Sequence, residues 1–183
     1  MHFKALIIAA GIAASASTAA PALSANPMVG GAPMFATKTI VDNAVNSKDH
    51  TTLVAAVSAA GLVPTLQSPG PFTVFAPTNM AFAKLPAGTV DMLLKPENKA
   101  ALTGVLTYHV VPGKLSARDL MAMAMKNGGM TSLKTVQGEM LTARTNGKVL
   151  MLTDTKGGTA NVTIADVNQS NGVIHVVDAV LLP

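Results

Sequence analysis

The sequence predicts an α+β domain, helical in its first half and built of strands and turns in its second. Three observations carry this. From Thr37 to about Met125, apolar residues recur mostly at helical spacing. From Met130 onward, β-prone runs alternate with Gly- and Asn-containing turns. Asn146-Gly147 lies between two such runs and is a strong short-range hairpin signal. Helices and strands segregated in this way predict helices on the flank of an antiparallel sheet or sandwich.

The elements follow in order. Met1-His2-Phe3-Lys4 is a short positive head, Ala5 to Ala14 an apolar stretch, and small residues follow with cleavage points after Ala16, Ser24 or Ala25. Residues 1–25 are therefore expected to be a secretory signal peptide. The apolar run falls short of the roughly 18 residues that a membrane span needs. Residues 26–36, with Pro27, Gly30, Gly31 and Pro33, are expected to be a flexible linker, and residues 37–183 the folded domain.

Within that domain Ile40, Val41, Ala44 and Val45 share one helical face. A second helix spans Thr51 to Ala60, capped by Thr51 or Thr52 and stopped by Gly61. Phe72 to Ala76 is a β-prone run, and Pro77-Thr78-Asn79 turns the chain into a short helix carrying Met80, Phe82 and Leu85. Helices over Thr89–Leu94 and from Pro96 to about Leu106 precede an expected strand, Tyr108 to Val111. Ser116 is the expected N-cap of a helix from Ala117 to Met125. Strands then fit Glu139–Thr145, Lys148–Thr153, Asn161–Asn168 and Val173–Leu181.

Composition bounds the chemistry. The chain has 183 residues, no Cys, 12% charged residues and a formal charge of +4, or about +3 once Lys4 is removed. Without Cys there is no disulfide framework, thiolate metal site or cysteine nucleophile. With Lys scattered, only Arg118 and Arg144 as arginines, no Trp and one Tyr, nucleic acid is not an expected partner.

Gly-x-Ser-x-Gly, P-loop and Gly-x-Gly-x-x-Gly motifs are absent, and no pair of the nine acidic residues stands out. His109 and His175 each precede Val-Val and are expected on strands, as hydrogen-bonded structural histidines first and a metal pair second. Met121, Met123 and Met125 offer soft thioether ligands for Cu(I), but only Met121 and Met125 share a helical face. Methionine is also a common core filler. Asn161-Val162-Thr163 and Asn168-Gln169-Ser170 match the glycosylation sequon and are read as ordinary strand and turn residues.

Three segments together resemble the fasciclin (FAS1) family. Thr73 to Phe82 looks like its first signature block, Leu106 to Gly113 like its central Tyr-His region, and Asn171 to Pro183 like its second block. The resemblance covers about Thr37 to Pro183. One departure is Asn79, where the family often has Asp.

The resemblance implies a β-wedge or sandwich with flanking helices, and a secreted or periplasmic, non-enzymatic adhesion or surface-binding module without a cofactor. Its implied partner is a cell-surface or matrix protein or polysaccharide, met by a monomer. In animal members the Tyr-His region is linked to integrin recognition, which by resemblance points to Tyr108 and His109 as partner-binding residues. Thr73, Phe75, Pro77, Thr78, Asn79, Phe82, Asn171, Gly172, Ile174, His175 and Asp178 are the signature residues, expected to be mainly structural. The alternative expectation is an extracytoplasmic carrier of a small ligand or of copper.

Overall fold

A computed structural model of the chain describes residues 26–183. The signal segment expected at 1–25 lies outside these residues. Among the described residues no helix is long and apolar enough to cross a membrane.

The expected linker at 26–36 is instead folded. Strands β1 (Met28–Val29) and β2 (Ala32–Pro33) form an antiparallel hairpin, and Val29 and Met34 are buried in the core. Glycine here makes a tight turn, not a flexible tether: Gly30 and Gly31 have φ of +58° and +76°. Gly30 packs against Ser47 Oγ and the Lys48 and Asp49 backbone with no space for a Cβ, and its carbonyl accepts from Lys48 N–H at 3.2 Å.

Helix α1 (Ile40–Ala44) starts with a capping box from Thr39 and Asp42. It stops after little more than a turn, so only Ile40 and Val41 of its expected face are buried, while Val45 is exposed. A 3₁₀ turn, Lys48–His50, leads into α2 (Thr51–Ala60), which ends at Gly61 in the left-handed region at φ +73°. Its N-cap is His50, not Thr51 or Thr52, and no side chain of its own caps it. Helix α3 (Val63–Gln67), strand β3 (Phe72–Pro77), and helices α4 (Asn79–Ala83) and α5 (Thr89–Leu93) follow.

Helix α6 (Lys99–Tyr108) is entered by a 3₁₀ turn at Pro96–Asn98. It carries Tyr108 as its last residue and His109 as its cap, so the expected strand Tyr108–Val111 is only β4 (Val110–Pro112). Helix α7 (Ala117–Lys126) opens on a capping box of Ser116 and Asp119. The strands β5 (Met130–Lys134), β6 (Met140–Thr145), β7 (Leu150–Thr153), β8 (Thr159–Gln169) and β9 (Gly172–Val177) complete the fold.

The larger sheet has the order β4-β3-β9-β8-β7-β6-β5. All its pairs are antiparallel except β3 with β9, which run parallel from Phe72↔Gly172 to Pro77↔Val177. The antiparallel sheet that the turn pattern suggested is present, with β3–β9 as its parallel exception among the described residues. Both strands are buried almost throughout, as strands covered on both faces must be. Val74, Ala76, Ile174 and Val176 face one core with α1–α3, α6 and the β1–β2 hairpin, whereas Phe75 and Val177 face a second core with α7 and β5–β8.

Strand β8 serves both halves: residues 159–161 pair with β7 and residues 162–169 with β9, across register shifts between Val162 and Val167. Asp166 in that stretch has φ +58°. Bulges bend a strand and increase its twist. The sheet curls until Val136 N–H donates to Val110 O at 2.8 Å, bringing the β5–β6 connection back onto β4 and nearly closing a barrel. The Asn146-Gly147 hairpin is present with a four-residue loop, Thr145 pairing with Leu150. Asn146 Oδ1 widens the expected two-residue turn by accepting from Lys148 N–H and Val149 N–H, both at 3.0 Å.

Candidate functional site

The three sequence blocks meet on β3, the strand between β4 and β9. Phe75 lies at the centre: its N–H donates to His109 O at 2.9 Å, it pairs with His175 across the parallel ladder, and its ring stacks on His175 with centroids 5.6 Å apart. Neither Tyr108 nor His109 is at the surface. Tyr108 is fully buried, its hydroxyl donating to Met140 O at 3.0 Å and burial raising its pKa. His109 is 3% exposed and meets Tyr108 edge-on. Both side chains implied as partner-binding residues therefore lie in the interior of the folded chain.

Both histidines have defined tautomers. His109 Nδ1–H donates to Val105 O at 2.8 Å, and its Nε2 accepts from Leu181 N–H at 3.1 Å. His175 is the reverse, its Nε2–H donating to Leu115 O at 2.9 Å and its Nδ1 accepting from Asp166 N–H at 3.2 Å. Burial holds both pKa values below the ordinary histidine range. With each ring nitrogen engaged, neither has a lone pair directed at a metal. His175 lies on β9 as expected, whereas His109 caps a helix. In the methionine run, Met121 and Met123 pack partly buried on the second core and Met125 is 65% exposed.

The remaining signature residues brace junctions. Thr73 Oγ1 donates to Gly113 O at 2.7 Å and accepts from Leu115 N–H at 2.9 Å, fixing the exit of β4. Pro77 ends β3 opposite Val177, Thr78 caps α4 by accepting from Ala81 N–H at 3.2 Å, and Phe82 anchors α4 in the first core. Asn79 supplies the missing cap of α2 from a distance. Its Oδ1 accepts from Thr52 N–H at 3.0 Å and from the Thr51 hydroxyl at 3.2 Å, and its Nδ2 donates to Lys48 O at 2.8 Å.

Asn171 ties the β8–β9 turn to the helices. Its Oδ1 accepts from Ile40 N–H at 3.1 Å, and its Nδ2 donates to Leu66 O at 2.7 Å and to Ser68 O at 3.0 Å. Gly172 lies against the Phe72 backbone with no space for a Cβ, and Ile174 fills the first core. Asp178 accepts from Asn161 N–H at 2.8 Å and Nδ2 at 3.1 Å, with Lys84 Nζ at 3.8 Å. Burial works to raise its pKa, but the Asn161 bonds and Lys84 outweigh it and leave the carboxyl below its usual range.

Some residues that the motifs did not flag matter as much. Asp154 accepts from Lys156 N–H and Gly158 N–H through Oδ1 and from Leu182 N–H through Oδ2, which pins the end of the chain. Asn43 is fully buried and holds both the Phe35 backbone and Gln169 Oε1. The helical pattern gives no signal for it, since Asn43 lies off the predicted face of Ile40, Val41, Ala44 and Val45. Between the helices and the sheet lies a cavity of about 220 Å³, lined by residues such as Val57, Leu66, Val74 and Ile174. Periodicity marks such residues as core and cannot show that they fail to fill the space among them.

This geometry defines a class: an α+β scaffold whose motif residues hold a parallel pair of strands at the centre of a curled sheet. The Fasciclin domain family model matches residues 48–183, and the chain belongs to that family. It is 53% identical to protein sll1483 of Synechocystis over 79% of this chain and 73% of that one. It is 39% identical to the immunogenic protein MPT70 of Mycobacterium tuberculosis, over 76% of this chain and 66% of that one. A FAS1 domain pair from the insect cell adhesion molecule fasciclin I superposes with a TM-score of 0.70 at 18% identity. That match covers 80% of this chain and 51% of the other, so this chain spans about half the length of the pair. The packed unit here starts earlier than the family match, at the β1–β2 hairpin.

Proposed function

We propose that this chain works outside the cytoplasm as a non-enzymatic adhesion or surface-binding module. Its partner is a cell-surface or matrix protein or polysaccharide that docks on the outside of the folded monomer. The observation that carries the reading is the engagement of the chemistry-bearing groups in the three blocks. Both nitrogens of His109 and of His175, the Asn171 amide and the Asp178 carboxylate all serve internal hydrogen bonds. A general base or nucleophile needs a free group within reach of a substrate, and these groups are committed elsewhere. Kinship with a domain of an insect cell adhesion molecule supports the same reading.

The test is attachment. Deleting the gene in its own host is expected to reduce adhesion to surfaces or to other cells, and adding back the purified chain to restore it. Unchanged attachment on deletion, together with turnover in a broad hydrolase screen, would overturn the proposal.

A further inference from the structure

The cavity between the helical layer and the sheet has a lining that selects its occupant. Its walls come from the β1–β2 hairpin, α1–α3, α6 and the central strands, and no Lys, Arg, Asp or Glu side chain is among them. An apolar cavity of about 150 Å³ in another protein takes up benzene. The space here, about 220 Å³, accommodates a ring with a short alkyl chain. Val45, Ser58 and Thr65 belong to the lining and are also solvent-exposed, so the cavity reaches the surface beside α1, α2 and α3.

One polar group in the wall stands apart. His50 is 3% exposed; its Nδ1 lies 2.9 Å from Ser47 Oγ, and its Nε2 has no hydrogen-bond partner. The Ala76 backbone bears on the ring as a hydrogen-bonding neighbour that works to raise its pKa against burial, although Nε2 has no partner that meets full hydrogen-bond geometry. The other buried or half-buried ring and hydroxyl groups of the lining are engaged: His109 through both nitrogens, Thr107 to Thr103 O and Gly104 O, and Ser47 to His50. Buried polar atoms are normally paired, and an unpaired one needs a reason. A water molecule needs two or more polar neighbours, and the buried part of this wall offers one free side-chain atom.

We infer that the cavity binds a neutral, mostly apolar small molecule carrying one hydroxyl group, of the alkylphenol or monocyclic-alcohol class, with the hydroxyl on His50 Nε2. A hydroxyl both donates and accepts, so it suits either tautomer that the Ser47 contact permits. Burial favours the neutral imidazole. An ionised carboxylate would enter without a cation to meet it, which disfavours fatty acids. This site is separate from the adhesion reading: His109 contributes only to the wall, with both nitrogens engaged, and neither His175 nor the methionine run takes part.

The experiment titrates the purified chain with 4-propylphenol, propylbenzene and octanoate, following methyl resonances of Val57, Leu66 and Ile174 together with calorimetry. Saturable one-to-one binding of the phenol is expected, with propylbenzene about tenfold weaker for want of the hydrogen bond. In His50→Phe that difference is expected to vanish. Val57→Phe and the milder Val54→Phe are expected to abolish binding by filling the space, and contacts between the probe and the Ile174 methyls in the unaltered chain give the same answer if neither variant folds. No saturable shift with any probe, propylbenzene equal to the phenol, octanoate the tightest of the three, or undiminished binding in folded filled variants would each overturn the inference.

Discussion

Replacing Asn171 by alanine removes three hydrogen bonds between the β8–β9 turn and the helical layer. The side chain is 6% exposed, so water does not readily replace them. Ile40 N–H lies in the first turn of α1, where no intrahelical acceptor exists, and Leu66 O lies in the last turn of α3. Ser68 O keeps a second donor, Gly70 N–H at 2.8 Å, and loses less. At about 1 kcal/mol net for each bond, with more for the groups left unpaired, the cost is about 3 kcal/mol. For a domain of this size that corresponds to a fall in Tm of about 6–12 °C. Asn171→Asp is the sharper control. It keeps the acceptor for Ile40 but turns an anionic oxygen toward two carbonyls, so near neutrality it is expected to cost more than alanine. Those carbonyls favour the protonated acid, so its deficit relative to the parent chain is expected to narrow as pH falls. Calorimetric scans of the three proteins at pH 7 and pH 5 decide it. A fall under 2 °C for Asn171→Ala, or an aspartate variant more stable than the alanine one at pH 7, would refute the bracing argument.

The other braces give related expectations. Asn79→Ala removes the cap of α2 and is expected to cost about 1–2 kcal/mol in urea unfolding, whereas Asn79→Asp retains the acceptor for Thr52 N–H and costs less. His50, His109 and His175 all have pKa values lowered by burial, so the stability they contribute is complete above the unfolded value near 6.5 and is lost as pH falls from there toward the folded values. Tm is therefore expected to fall between pH 7 and pH 5, before Asp42, Asp119 and Asp178, whose lowered pKa values place their losses below about pH 4, begin to matter. Gly30→Val forces a side chain into Ser47 at a positive φ and is expected to detach the β1–β2 hairpin, read as faster amide exchange at Val29 and Met34.

Local chemistry made some elements readable and long-range packing hid others. Gly61 and Ser116 act within a few residues of the helices they bound, so the C-terminal end of α2 and the start of α7 were legible. The hairpin at 28–33 was not, because Gly and Pro mark a tight turn and a tether alike. Burial of Val29 and Met34 under residues far along the chain decides between them. The parallel β3–β9 pair left a fainter mark: Phe72–Pro77 and Gly172–Val177 are almost continuously apolar, where a half-exposed antiparallel strand would alternate. Tyr108 and His109 were expected on the strand that begins only at Val110, and their burial depends on Met140, Leu181 and the closing of the sheet at Val136. Those contacts span tens of residues, and no local pattern encodes them.

Two cores on opposite faces of β3 and β9 also constrain where partner choice can reside. A side chain in the three blocks that is changed to alter binding will first alter stability, because Phe75, Tyr108, His109, Asn171 and His175 each hold one core or join two elements. Residues free of that duty are apolar ones left in solvent outside the blocks, such as Met92 on α5 and Met125 on α7. Under the adhesion reading, serine at these positions is expected to leave Tm within about 1–2 °C of the parent chain, whereas attachment changes at whichever of them touches the partner. Substitutions inside the blocks are expected to reduce attachment only in proportion to the fraction unfolded. A block variant that stays fully folded and yet loses attachment would place recognition in the interior rows of the sheet and would overturn this division between scaffold and surface.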